Sequence, residues 1–405
     1  MTDSTPASLR LNWKDITTGL LKIGTMAYGG PAIMGIMQAE LQEKRQWLSK
    51  ERFMEALSLV NLLPGAGATQ LGIFLGYARG GWWGGLLAGL CFILPAFFIM
   101  MALTVAYATV GGTPLMRGAL YGLGPVVLGI FSVAVYRLGR NTITGLAQIL
   151  IALAAAAAVA MGPFGLVVVL ALAGGLGIFL FHSRQRGGLV LVLLMAVWLY
   201  WYLAAWPLLA TPVTIIGTDA ASAGLLDIGI FFFKVGAFSF GGGLTMIAFV
   251  QEQVVNQFHW LTPREFVDGL ALGQFTPGPI LMVAAYVGYK LAGFAGGIVG
   301  AVAIFLPSFV LMLSILPAFD RMRQLQWMKA ALKGIGPAVI GMLTVSLAQM
   351  APHAVPDTFA IVLFAFTVVA LLAWRVSSIK VMLGGALLGV LRDRLAALPG
   401  LRAVF

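Results

Sequence analysis

Apolar runs of about 20 residues recur along the whole chain, separated by short polar stretches. That is the length at which an α-helix crosses the hydrocarbon core of a bilayer. The ten-residue alternation of a membrane barrel does not occur. The pattern predicts spans over roughly 16–38, 53–79, 82–109, 115–136, 143–161 and 163–181. A second set follows over roughly 224–250, 265–290, 294–319, 327–350, 356–374 and 376–391. Between the sets lie a short basic linker, His182 to Gly188, and an apolar stretch without counterpart, Leu189 to Ala210. Trp198, Tyr200, Trp201, Tyr202 and Trp206 crowd one end of that stretch, as in an interfacial anchor. The fold expected is an all-α polytopic membrane protein of about 13 segments, six plus one plus six.

The two sets are copies of one unit. At a shift of 212 residues, Lys22-Ile23-Gly24 matches Lys234-Val235-Gly236, Tyr28-Gly29-Gly30 matches Phe240-Gly241-Gly242, and Glu40 matches Glu252. Leu94-Pro95 matches Leu306-Pro307, and Gly122-x-Gly124-Pro125-x3-Gly129 matches Gly334-x-Gly336-Pro337-x3-Gly341. In between, the register slips by one, so that Trp47-Leu48, Phe53 and Pro64-Gly65 match Trp260-Leu261, Phe266 and Pro277-Gly278. The chain divides into a first repeat, 1–188, a linking span and loop, 189–223, and a second repeat, 224–405. One unpaired span between two six-span units turns the second upside down. Inverted repeats of this kind recur among secondary transporters.

Composition agrees. Of 405 residues, 60% are hydrophobic and 10% charged, with a mean hydropathy of +0.97, against about 25% charged in soluble domains. Lipid must cover most of such a surface. The net charge of +11 comes from Lys and Arg scattered between spans, with no basic stripe or aromatic reading surface for nucleic acid. Retention of basic residues in the cytoplasm accounts for it, and a positive mean potential also favours an anionic solute. The polar segment Met1–Asp15 lacks the apolar core and cleavage site of a removable signal peptide. With the N-terminus in the cytoplasm and the C-terminus outside, more Lys and Arg fall inside than outside. The loop with Lys44, Arg45, Lys50 and Arg52, placed outside, runs against that assignment.

The chemistry is concentrated where spans are broken. Gly29-Gly30-Pro31 interrupts 16–38, and Gly241-Gly242-Gly243 interrupts 224–250. Pro64-Gly65-Ala66-Gly67 interrupts 53–79, and Pro277-Gly278-Pro279 interrupts 265–290. Proline removes a donor and glycine lets the backbone leave the helix. The freed groups then need partners inside the protein or in a wet cavity. Breaks at matching places in two halves point to a transport site, where a restarting half-helix aims free N–H groups and its positive end at an anion. Thr69, Gln70, Ser239, Thr245, Gln274 and Thr276 could add neutral hydrogen bonds. Lys22 and Lys234, just before the glycine pairs, would attract an anion or snorkel to the surface. Glu40 and Glu252, about ten residues past the glycines, would carry a proton or stay solvated. Arg79 and Lys290 read as interfacial anchors, Asp227 as a helix-start residue and Cys91 as a packing residue. His182, His259 and His353 are isolated, so no metal or cofactor is implied.

These residues resemble a known family. Tyr28-Gly29-Gly30-Pro31, Trp47-Leu48, Leu63-Pro64-Gly65 and Thr69-Gln70-Leu71 are similar to the first domain of the chromate ion transporter family. Phe238-Ser239-Phe240-Gly241-Gly242-Gly243, Trp260-Leu261 and Thr276-Pro277-Gly278-Pro279 are similar to the second. Ala66 stands where the family usually has proline, and Leu244 where many members have histidine. The resemblance implies an inner-membrane protein that exports chromate, a sulfate-like dianion, driven by the membrane potential or proton gradient. Its expected partners are that oxyanion and membrane lipid, with a homodimer allowed. A transporter of another ion or metabolite, or a membrane-embedded enzyme acting on lipid, are the other classes the residues leave open.

Overall fold

The computed structural model describes residues 9–27, 30–161, 166–210, 224–239, 244–318 and 326–396, and among them it is helical with no strand. The first repeat runs α1 (Leu9–Met26), α2 (Gly30–Met37, continued by a π-helix, Gln38–Lys44), α3 (Lys50–Leu62), α4 (Gly67–Val110), α5 (Pro114–Thr142), α6 (Leu146–Met161) and α7 (Leu166–Phe181). Helix α8 (Arg184–Ala210) is unpaired and packs on α7. The second repeat runs α9 (Leu225–Ala237), α10 (Thr245–Val250, continued by a π-helix, Gln251–Gln257), α11 (Pro263–Phe275), α12 (Val283–Ile315, after a 3-10 turn at Ile280–Met282), α13 (Gln326–Ala354), α14 (Thr358–Leu372) and α15 (Ser378–Ala396). The aromatic side chains at the end of α8 lie outside the described residues, as do Gly29, Gly241, Gly242 and Gly243.

Side chains set the helix starts. Ser49 Oγ accepts from the Arg52 N–H, Thr113 Oγ1 from Met116 and Asp357 Oδ1 from Ala360. Thr262 and Glu265 form a capping box behind Pro263. Asp227 accepts from the Gly224 N–H at the start of α9.

Four predicted spans double back instead of running straight. In 16–38 the chain reverses after Ala27: Lys22 Nζ lies 3.0 Å from Glu40, and Arg45 Nη1 lies 2.6 Å from Asp15. Residues 15 and 45 of a straight helix would be about 45 Å apart. In 53–79 the reversal falls at 63–66, with Arg52 of α3 over the Phe74 ring of α4. In 265–290 it falls at 276–279: Lys290 Nζ is 2.7 Å from Glu265 Oε1, and Tyr286 donates its O–H to the Glu265 carbonyl. In 224–250, Phe231 of α9 packs on Trp260, as Gly19 of α1 packs on Trp47. Each arm is only about a dozen apolar residues, so two arms joined by a tight break read as a single span. A second reversal follows each second hairpin, at Gly80–Gly81 (φ of Gly81 +63°) and at Ala292–Gly293 (φ of Gly293 +60°). The 44 residues of α4 are therefore two antiparallel helices, crossing where Gly76 meets Gly84.

The repeats are related by an approximate twofold axis. Gly85 packs on Leu313, Gly89 on Phe309 and Met101 on Gly297. Residue numbers rise along α4 as they fall along α12, so the two helices are antiparallel. The shift of 212 turns the Gly85–Leu313 contact into the Gly297–Met101 contact, which puts the axis across the helices, not along them. The repeats also interlock. Helix α5 packs on α14 and α15 of the other repeat, and α13 on α6 and α7. Gly122 meets Gly389 and, as its counterpart, Gly334 meets Gly177. A Cβ on Gly122 would sit 2.0 Å from the Gly385 carbonyl, and one on Gly334 1.9 Å from that of Ala173. Backbones that close accept only glycine.

Candidate functional site

The hairpin tips meet across the twofold axis. The Gly65 N–H donates to the Ser239 carbonyl at 2.6 Å, and the Gly278 N–H to the Ala27 carbonyl at 2.8 Å. Ala27 and Ser239 are repeat counterparts, each just past the end of the first half-helix, where carbonyls have lost their helical partners. Each second hairpin thus caps the first half-helix of the other repeat. The tip glycines hold φ of +121° and +100°, a region open to glycine and costly for other residues.

Around the first tip the polar groups are buried. Gln70 donates Nε2–H to the Pro64 carbonyl at 2.6 Å, and Ser308 Oγ accepts from the Ala66 N–H at 2.8 Å. The Ser239 and Thr245 hydroxyls are 3.2 Å apart. Thr69, Gln70, Ser239, Thr245 and Ser308 are all fully buried. Thr69 Oγ1 and Gln70 Oε1 have no hydrogen-bond partner among the described residues. The first turn of α4, Gly67 to Thr69, adds backbone N–H groups that no helical carbonyl can reach. Donors and a helix N-terminus converge here, an arrangement that suits an anion. Gln70, whose amide is committed to Pro64, braces the tip.

The second tip is drier. Thr276 turns its hydroxyl back to the Leu272 carbonyl, Gln274 is half-buried in the arm before it, and Pro277, Gly278 and Pro279 are buried. Ala96 occupies the place of Ser308. The difference has a physical reason: Ala66 brings an N–H that needs an acceptor, whereas Pro279 brings none. Sequence reasoning missed Ser308. Its signal is the match of Leu94-Pro95-Ala96 to Leu306-Pro307-Ser308, one hydroxyl added inside an otherwise apolar repeat.

The charged candidates lie along the hairpin arms, not at the tips. Lys22 is bound to Glu40, which also lies within ion-pair reach of Lys44 and Arg45. The Lys22 hydrogen bond holds the Glu40 carboxyl below its ordinary value. Glu252 instead accepts from Asn256 and Gln257, and Lys234 is exposed with no ion pair among the described residues. The matched glutamates are out of step in space: Glu40 is the third residue of its π-helix and Glu252 the second of the other. The two seven-residue π-helices correspond at a shift of 213, so the one-residue slip falls before them. Gly30 and Pro31 open α2. Lys290 closes the base of its own hairpin against Glu265, whereas Arg79, at the end of the second hairpin, reaches Asp15 of the first. Cys91 is buried.

A family model described as "Chromate transporter" matches residues 14–178 and again 226–390, which are the two repeats. The chromate transport protein of Cupriavidus metallidurans is 32% identical over 376 residues, 91% of this chain and 90% of that protein. The chromate transport protein of Pseudomonas aeruginosa is 32% identical over 394 residues, 94% of this chain and 92% of that protein. No solved structure matches the chain. With a family match over both repeats and similarity along nearly the full length of two relatives, the chain belongs to the chromate transporter family.

Proposed function

We propose that this protein is a secondary transporter that exports chromate or a related sulfate-like oxyanion across the inner membrane, driven by the membrane potential or the proton gradient. The observation that carries this reading is the exchange of backbone hydrogen bonds between hairpin tips and half-helices of opposite repeats. It supports a broken backbone lying at the seam of two antiparallel units, which rock about it. The oxyanion binds at the first tip, to the N–H groups that open α4 and to the hydroxyls of Thr69, Ser239, Thr245 and Ser308. Pro64 and Gly65 shape the backbone beside it, Gly30 and Pro31 open α2, and Gln274, Thr276, Pro277, Gly278 and Pro279 build the counterpart tip. Lys234 draws the anion in from solvent. Glu40, held ionised by Lys22, orders the first hairpin, and proton coupling sits elsewhere.

The hairpins support a reading of the membrane topology. Taken as re-entrant, they leave four crossings in each repeat and one in α8, nine in place of thirteen. Four is still even, so the single α8 still inverts the second repeat. The loop with Lys44, Arg45, Lys50 and Arg52 moves to the side of the N-terminus. Among the described residues the opposite face keeps only Arg117, Arg264, Lys290, Arg392 and Arg394 of the interfacial basic residues. The basic excess then favours a cytoplasmic N-terminus.

The test is flux into proteoliposomes of the full chain with labelled chromate and labelled sulfate, under an imposed potential or pH gradient. Saturable flux that falls at least about tenfold in Thr69→Val and Ser308→Ala is expected. No saturable flux of either ion under either gradient would overturn the reading.

A further inference from the structure

Away from the tips, a cavity of about 520 Å³ opens on the face opposite the N-terminus, between the end of α4, the start of α5, α11 and α15. Three arginines line it, Arg117, Arg264 and Arg392, with the carboxylates Asp268 and Asp393. Their states differ. Arg392 is committed: it pairs with Asp357 of α14 at 2.6 Å and stacks on Tyr121 at 4.4 Å. Arg117 is exposed and has no ion pair among the described residues. Arg264 is held only loosely, with Nε 3.6 Å from Asp268 Oδ1 and its guanidinium 5.6 Å from the Tyr121 ring.

Asp268 is the unusual group. It is 5% exposed, its Oδ2 accepts from the Tyr107 hydroxyl at 3.0 Å, and its Oδ1 accepts no hydrogen bond among the described residues. A buried carboxylate normally uses both oxygens. One bare oxygen beside one loosely held guanidinium is a place where a proton and an anion can exchange. The other charges near Asp268 are engaged: Glu265 of the same helix is bound by Lys290 of α12, and Tyr286 donates to the Glu265 carbonyl. Asp393 of α15 also lines the cavity. The first repeat does not build this site. Its counterparts of Arg264 and Asp268 are Glu51 and Glu55, and Glu55 is paired with Arg52 at 3.0 Å.

We propose that this cavity is a second oxyanion site, and that Asp268 is its resident anion: when Asp268 takes up a proton, Arg264 leaves it and holds the oxyanion together with Arg117. The proton adds to Oδ1, no covalent bond to the oxyanion forms, and one proton is bound per oxyanion. Asp268 stands about two turns before the second tip on the same helix, so its state can reach the tip through α11. The choice of an oxyanion as ligand rests on the transport reading above.

The test uses the purified full chain in detergent and binding of radiolabelled sulfate, in a Thr69→Val background that weakens the tip contribution. Between about pH 5 and pH 8, binding should tighten as pH falls, with uptake of about one proton per sulfate. Asp268→Asn should bind about tenfold tighter at the alkaline end and lose the pH dependence. Arg117→Gln, at an exposed position that tolerates change, should weaken binding about tenfold. An unchanged pH profile in Asp268→Asn, or wild-type affinity in Arg117→Gln, would overturn the proposal. Saturable flux with either of those results would sink this site alone, whereas intact cavity binding without any flux would sink the transport reading alone.

Discussion

Gly65 reaches out of its own repeat to hydrogen-bond the carbonyl of Ser239, at 2.6 Å, where helix α9 has just ended. The counterpart bond from Gly278 to Ala27 makes the pair reciprocal. Each repeat finishes the backbone of the other, so neither half-site exists without its partner.

Alanine at a tip should be far more harmful than at the other left-handed glycines. A Cβ on Gly65 would lie 2.5 Å from Gln70 Nε2 and from Ser308 Oγ, and one on Gly278 2.9 Å from Ala96 Cβ, while Gly81 and Gly293 face open space. All four pay the backbone strain, about 1–2 kcal/mol, but only the tips add a clash. Gly65→Ala and Gly278→Ala should lower the melting temperature in detergent more than Gly81→Ala and Gly293→Ala, and should lose flux at least tenfold. Equal effects at all four would contradict the tip geometry.

Ser308 and Ala66 should behave as one unit. Ser308→Ala strands the buried Ala66 N–H, at a cost of about 1–3 kcal/mol. Ala66 has φ of −77°, within reach of proline, and the matching Pro279 sits at −75°. Ala66→Pro combined with Ser308→Ala copies the chemistry of the second tip and should be more stable than Ser308→Ala alone. A thermal-unfolding double-mutant cycle reads the coupling; strict additivity would mean that Ser308 does not serve the Ala66 N–H.

Labelling decides between hairpins and spans. In a protein with Cys91 replaced by serine, single cysteines at Lys50 and Thr113 should react with an impermeant thiol reagent from opposite sides of the membrane. Lys50 should share the side of the N-terminus. Reaction of Lys50→Cys from the Thr113 side would restore the straight-span reading of 16–38.

The Lys22–Glu40 pair gives an acid-sensitive first hairpin. Its folded-state carboxyl lies below the ordinary value of 4.5. The stability it contributes is therefore complete above that value and disappears as pH falls through the depressed one. Below about pH 4.5, wild type should lose thermal stability more steeply than Glu40→Gln. A proton-driven flux that becomes independent of pH in Glu40→Gln would instead return proton coupling to this residue.

Much of this arrangement can be read from residue order. Matching Lys, Trp, Pro and Gly residues reveal the duplication, and the Pro64-Gly65 and Pro277-Gly278 pairs mark both tips. Hydropathy could not tell a kink from a reversal, because two apolar arms of a hairpin have the length and character of one span. The pairings that settle it, Lys22 with Glu40 and Glu265 with Lys290, are local side-chain geometry. Glu40 and Glu252 match at a shift of 212, but the π-helices that carry them correspond at 213, so Gln253 stands in the place of Glu40. Asp268 is not marked by the sequence because its burial depends on Tyr107 of α4 and on α5, which are remote in the chain.

The interlocking of the repeats also sets an order of assembly during synthesis. Helix α5 carries the Gly122 surface that fits only against Gly385 and Gly389, and those residues leave the ribosome more than 250 residues later. At about 5–20 residues per second, α5 must wait roughly ten to fifty seconds for its permanent neighbour. Through that interval its glycine face is exposed to lipid or to a temporary companion. Helix α15 therefore completes the first repeat as well as the second, and a chain truncated before it would leave both repeats unfinished.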